Sequence, residues 1–294
     1  MALPPGRVGF YKPMIQNGYS SLPDFKTYGI SNSVIDEADD AILEKIIGSA
    51  SRYIDNQTGR TFYPRVETRY YNAVSSRKMW LDDDLLEVIT LLNGNVDEDD
   101  DRVEIDADDY NLLPLNEYPK YAVNLTPSSN VYWQRDTNSD AEGVIDLEGI
   151  WGYHERYATD AWKEITTLTA GINDVVVAFL MVNTASINEM GGQLIRVDHE
   201  IMRVEGKAFT AVTVERGVNG STAAAHLIAA PVYLWTYPDD ITNCCWDIVN
   251  GIYKRRTGEN ASSTSVLTSA GVIVTPRDIT DYAAAIIATY KEIV

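Results

Sequence analysis

Hydrophobic periodicity changes twice along this sequence, which restricts it to folds where helical and β segments share one body. Ile42, Ile46, Ile47, Ala50, Tyr53 and Ile54 recur at the spacing of a single helix face. Asp36, Glu37, Asp39 and Asp40 crowd the first turns, where the helix dipole favours negative charge, and Gly59 supplies a stop. From residue 165 to 235 the pattern becomes all-β, with strands expected at 175–179, 193–198, 200–205 and 209–214. Short, even turns between them mark a small sandwich or barrel. After Pro238 the helical period returns in Ile241, Cys245, Ile248, Val249 and Ile252, closed by Lys254, Arg255, Arg256 and Gly258.

The remaining segments fill in the order. Residues 1–32 hold Pro4, Pro5, Pro13 and Pro23, four glycines and the aromatic handles Phe10, Tyr11, Tyr19, Phe25 and Tyr28, so they read as an extended arm docked by a neighbour. Strands are expected at 61–64, 66–72, 85–92 (running into the Asn93-Gly94 turn), 110–115, 130–135 and 144–151. Residues 261–275 read as a Ser/Thr-rich linker, and Pro276 opens a last helix with the face Ile279, Tyr282, Ala283, Ile286 and Tyr290. The fold class expected is α+β: a helical core with a β-hairpin and sheet region, plus an inserted all-β domain. The domain reading is an arm at 1–32, a discontinuous host domain at 33–163 plus 238–294, and an insert at 164–237.

Charge limits the partners. The 294 residues carry 24 basic and 43 acidic side chains, a formal charge of −19, with 45% hydrophobic residues. That composition excludes a disordered chain, and the acidity argues against wrapping nucleic acid while allowing DNA to pass close by without adhering. No apolar run approaches the roughly 18 residues of a membrane span, and residues 1–7 lack the pattern of a signal peptide, so no membrane partner is expected. Cys244 and Cys245 are adjacent and read as a buried helical pair rather than a disulfide. The sequons at Asn56, Asn124, Asn219 and Asn260 mean little without secretion.

Motifs for chemistry fail on their own requirements. A calcium loop begun at Asp97 needs Gly and Glu where Arg102 and Asp108 stand. Gly206-Lys207 lacks the earlier glycine of a phosphate loop, which falls on Ile201, and Ala208 replaces its hydroxyl residue. No Gly-x-Ser-x-Gly elbow occurs. His154, His199 and His226 are scattered, and Asp198 near Glu200 is unremarkable among 43 acids. No enzymatic activity, cofactor or metal is expected.

Four segments carry a resemblance. They are 39–71, containing Ala50-Ser51-Arg52-Tyr53-Ile54-Asp55 and Thr58-Gly59-Arg60-Thr61-Phe62-Tyr63-Pro64-Arg65; 108–119; 145–153, Ile145-Asp146-Leu147-Glu148-Gly149-Ile150-Trp151-Gly152-Tyr153; and the helix end at 252–256. In this order they resemble the head–tail connector (adaptor) proteins of long-tailed bacteriophages. The sequence departs from that family in its longer arm and in some 85 residues between Tyr153 and the next helix. Residues 197–204, 215–221 and 223–226 of the insert are similar to a small β module of other phage structural proteins.

The resemblance implies a homo-oligomeric ring of about twelve copies closed by head-to-tail contacts. Such a ring docks beneath the portal protein, extends the DNA channel and presents a platform to a neck or tail completion protein. The location implied is the virion neck, after assembly in the host cytoplasm. Portal binding is expected of the C-terminal segment through Ile279, Tyr282, Ile286 and Tyr290. The acidic groups Asp82, Asp83 and Asp84, and Asp97, Asp99, Asp100 and Asp101, are expected to face the channel or solvent. Two other classes compete: a virion module whose β insert grips a glycan or the capsid surface, and a paired-carboxylate hydrolase.

Overall fold

The computed structural model describes residues 15–29, 39–94, 102–136, 139–257, 265–268, 271–274 and 280–291. It corrects the expected fold class. The described chain is mostly β, built on two six-stranded antiparallel sheets, and there is no helical connector core. The helices instead pack on one another around a core of their own.

The chain enters through α1 (Leu22–Asp24) and a wide helical turn (Phe25–Gly29). These residues are not a free arm: Ile15, Tyr19, Leu22 and Phe25 are buried among the chain's own helices. Tyr19 and Phe25 are thus consumed internally, each apolar side chain contributing about 1.5–3 kcal/mol by burial, while Tyr28 stays largely exposed and Phe10 and Tyr11 lie outside the described residues. Helix α2 (Asp40–Thr58) ends where Gly59 adopts φ 75° and its N–H donates to the Asp55 carbonyl, the left-handed stop that glycine permits. Its buried stripe of Leu43, Ile46, Ile47, Ala50 and Ile54 meets α3 (Asp239–Thr257), which contributes Ile241, Cys244, Cys245, Ile248 and Val249. Helix α4 (Asp281–Tyr290) completes this core with Ala283 and Ile287.

The first sheet contains β1 (Arg65–Tyr71), β2 (Lys78–Asn93), β3 (Val103–Glu104), β4 (Tyr110–Leu113), β5 (Lys120–Leu125) and β6 (Ile145–Trp151). Its order is β1-β6-β2-β5-β4, with β3 pairing the end of β2. Strand β6 lies between β1 and β2, and Ile145, Leu147, Ile150 and Trp151 are fully buried along it. Strand β2 shifts register between Trp80 and Leu85, so Lys78–Trp80 pairs with β5 while its later part pairs with β6. Segments 61–64 and 130–135 are not strands. In the second, side chains replace the ladder: Asn93 Nδ2 donates to the Tyr132 carbonyl, Gln134 N–H donates to Asn93 Oδ1, and Trp133 Nε1 donates to the Arg77 carbonyl.

The second sheet contains β7 (Trp162–Thr167), β8 (Ala178–Leu180), β9 (Leu194–Val197), β10 (Glu200–Ala208), β11 (Ala211–Glu215) and β12 (Pro231–Trp235), in the order β7-β12-β9-β10-β11-β8. Its two ends meet. Leu168 bridges Met181, Val182 N–H donates to the Thr167 carbonyl at 3.1 Å, and Thr169 N–H donates to the Leu180 carbonyl at 3.2 Å. The sheet is therefore a closed barrel filled by Phe179, Ile195, Val197, Met202, Val204, Val212, Val214 and Val232. Phe209 and Thr210, expected in a strand, form the β10–β11 turn, and Val175 to Val177 precede β8. The expected 261–275 linker contains a hairpin, β13 (Ser265–Thr268) with β14 (Gly271–Val274).

Barrel and first sheet share a seam of Val66, Leu86 and Ile150 against Ala161, Leu194, Ile201, Val218 and Trp235. Trp235 Nε1 donates to the Phe62 carbonyl, and Arg196 pairs with Glu87 at 3.2 Å. The barrel loop at 217–221 also caps the outer edge of β1: Val66 N–H donates to the Asn219 carbonyl at 2.8 Å, and Asn219 Nδ2 to the Pro64 carbonyl at 2.9 Å. Gly220, at φ 83°, lies so close that a Cβ there would stand 2.1 Å from the Val66 carbonyl oxygen. Gly220→Ala is expected to cost about 1–3 kcal/mol in urea unfolding and to expose the Val66 amide to exchange. Gly48→Ala, where a Cβ meets nothing within 4 Å on α2, should stabilise by about 0.5–1 kcal/mol.

Candidate interaction surfaces

The acidic triplet of β2 occupies the register shift between Trp80 and Leu85 and not a loop. Asp84 is buried and pairs with Arg60, and Asp83 pairs with Arg65 at 2.9 Å and Arg69 at 2.6 Å. Asp82 alone is exposed; Arg69 donates to it at 3.0 Å and Tyr71 at 2.5 Å. Partial burial opposes the Asp82 charge, but the Tyr71 and Arg69 hydrogen bonds outweigh it and hold the carboxyl below its ordinary range. Burial and the Asp82 carboxylate raise the Tyr71 phenol. Arg69 also lies 4.3 Å from the centre of the Trp151 ring. Three acids expected to present free charge are thus bound to three arginines of the same chain. Asp97, Asp99, Asp100 and Asp101 lie outside the described residues.

The C-terminal helix is equally engaged. Thr280 caps α4, accepting from Ala283 N–H and donating to Asp247. Tyr290 packs edge-on against Phe62 and Tyr153, each with ring centroids 5.5 Å apart, and Arg60 Nε donates to its carbonyl. Ile286 is half-buried on the same core. Tyr282, 49% exposed, is the member of the expected portal-binding face that stands out from it, and Ile279 lies outside the described residues.

Buried chemistry is structural. Burial pushes the Cys244 and Cys245 thiols up to about 12, leaving them protonated and inert at neutral pH. Among the described residues no group of three His, Cys, Asp or Glu side chains could hold a metal ion, and no helix is long and apolar enough to cross a membrane. An open depression of about 730 Å³ runs along α2, lined by Ile15, Lys45, Gly48, Arg52, Tyr53 and Asn56 among others. Beneath it Tyr19 donates to Asp55 and accepts from Phe62 N–H, while Arg52 pairs with Asp55 at 2.9 Å. Burial dominates these contacts and raises the Asp55 carboxyl to about 6.

Surface features that composition could not reveal are apolar. Phe209 is 96% exposed at its hairpin tip, in a left-handed conformation (φ 55°), and Leu180 and Val182 are exposed on the adjoining segment. Trp80 and Tyr121 stack in parallel on the first sheet, also exposed, with the Lys78 ammonium 5.0 Å from the Trp80 ring. Large exposed hydrophobic residues grouped in this way mark contact surfaces. The sequence matches no known family profile and no curated protein.

Asp84→Asn should cost about 3 kcal/mol, since it leaves Arg60 without its charge partner, whereas Asp82→Asn should stay within about 0.5 kcal/mol; urea unfolding compares the two. Because the folded chain holds the Asp55 proton more tightly than the unfolded chain, stability gained from that proton rises as pH falls from about 6 toward 3.8. Asp55→Asn should remove that part of the pH slope.

Proposed function

We propose that this protein is a structural head–tail connector of a tailed bacteriophage. In this reading about twelve copies form a ring below the portal, extend the DNA channel and support the next neck or tail protein. The observation that carries the reading is the adjacency of the segments bearing the resemblance. Helix α2 packs on α3, and β1 pairs with β6 from Arg65↔Trp151 to Tyr71↔Ile145, so residues 39–71, 145–153 and the end of α3 belong to one body. The β-rich architecture is compatible with the role, since ring closure requires complementary surfaces rather than any helix content. The grouped exposed residues Phe209, Leu180, Val182, Trp80 and Tyr121 supply the contact chemistry such a part needs.

Portal attachment is proposed for the C-terminal segment, with Tyr282 as its outward side chain. The engaged state of Asp83 and Asp84 moves the proposed channel charge away from β2. A second reading, a virion module binding capsid or glycan through the barrel, draws on Phe209 and its apolar neighbours.

Native mass spectrometry of the full chain, alone and mixed with portal rings, tests the proposal. Co-migration with the portal is expected, weakened at least tenfold by truncation after Thr275 or by Tyr282→Ala, which leaves the buried face of α4 intact. A chain that stays solitary at all concentrations and ignores the portal overturns it. Capsid or glycan binding abolished by Phe209→Ser would transfer the assignment to the second reading.

A further inference from the structure

The insert motif at 215–226 converges on one buried carboxylate. Glu200 follows the β9–β10 turn on the interior face shared by Met202 and Val204, and its side chain has no exposure to solvent. Five donors surround it. Arg216 approaches through Nε at 2.6 Å and Nη2 at 2.7 Å, Gly217 N–H at 3.1 Å, Ala224 N–H at 2.9 Å, and His226 Nε2 at 2.8 Å. Arg216 also donates to the carbonyls of Asn173, Val176 and Ala224, closing that end of the barrel. Burial opposes the Glu200 charge, but the bonds from Arg216, Ala224 and His226 outweigh it and hold the carboxyl below its ordinary range.

The other nitrogen of the same ring, Nδ1, lies 2.7 Å from Asp198 Oδ2. Glu200, saturated by donors, accepts and does not donate, so Nε2 carries a hydrogen. Asp198, whose side chain is 59% exposed, presents a carboxylate oxygen, an acceptor, to Nδ1. A neutral imidazole has a single N–H and would set a bare lone pair against one carboxylate oxygen. The charged groups bonded to the ring or to its carboxylate partners are Asp198, Glu200 and Arg216; with a cationic ring the four charges sum to zero.

We propose that His226 is a buried, doubly protonated latch, joining the β9–β10 turn to the 217–226 loop, and that loss of one proton loosens the part of this loop that caps β1. The coupling runs through a short stretch. Ser221 Oγ accepts from Ile201 N–H at 2.9 Å, Val218 N–H donates to the Ile201 carbonyl, and Asn219 then reaches Val66 and Pro64. The ring is thus fastened to the loop that docks the barrel on the first sheet. The sign follows from the protonated state being the bonded one: the latch holds while both ring nitrogens carry hydrogen and is lost when one of them is removed at higher pH. The inference is independent of the connector reading.

Long-range proton–nitrogen spectra of the full-length, nitrogen-labelled chain test it, with His226→Gln assigning the ring. At neutral pH both ring nitrogens should resonate as protonated, and the hydrogen-exchange protection factor of the Val66 amide should fall at least tenfold as the second proton leaves. In Asp198→Asn, which keeps a partner that is not anionic, the ring should shed that proton at lower pH than in the wild-type chain. A bare ring nitrogen at neutral pH in the wild-type protein overturns the doubly protonated assignment. Loss of the proton with unchanged Val66 protection overturns the coupling to β1.

Discussion

Trp235 stands where every layer of this protein meets. Its ring is buried in the seam between barrel and first sheet, its indole N–H reaches the Phe62 carbonyl, and Trp162 and Tyr237 pack against it. Phe62 in turn touches Tyr19, Tyr153 and Tyr290. A chain of aromatic contacts therefore connects barrel, sheet, N-terminal segment and C-terminal helix. Aromatic pairs of this kind add about 0.5–1.5 kcal/mol each beyond the area they bury. Since native domains retain only about 5–15 kcal/mol in total, this seam sets whether the barrel and sheet behave as one unit.

The helices were legible because their stripes repeat with one period and end at Gly59 or begin after Pro238. The barrel was legible as an all-β block because alternation survives in Ala211–Glu215 and in the Met202-Arg203-Val204-Glu205 run of β10. Strand β2 was hidden in its first half, because Asp82, Asp83 and Asp84 read as solvated loop until Arg60, Arg65 and Arg69 are seen to neutralise them. The docking of residues 15–29 was hidden for the opposite reason: their aromatic residues have no period, and burial depends on helices more than ten residues away in sequence. The expected fold class erred by weighting the two long helices over many short strands, whose pairing partners no local pattern specifies.

Candidate surfaces were less legible than the fold. Of the acids that charge counting pointed to, Asp82, Asp83 and Asp84 pair with arginines of the same chain, whereas Phe209 and the Trp80–Tyr121 stack carry no sequence signal of exposure. The His226 cluster had been visible only as one scattered histidine and one of many neighbouring acid pairs. What defines it is convergence in space: residues 198, 200, 216 and 226 come from a turn, a strand and a loop, and the pairing of β10 with β9 and β11, with the Ile172–His226 bridge, brings them within bonding distance.

The bridge from Leu168 to Met181 has a consequence for recognition. By joining the end of β7 to the end of β8 it engages peptide groups of Thr167, Thr169, Leu180 and Val182 that an open sheet would display along its rim. A visiting polypeptide finds those rungs already taken, so affinity at that junction must come from side-chain shape and chemistry. Specificity on that module is then free to drift by point substitution without disturbing its hydrogen-bonded frame.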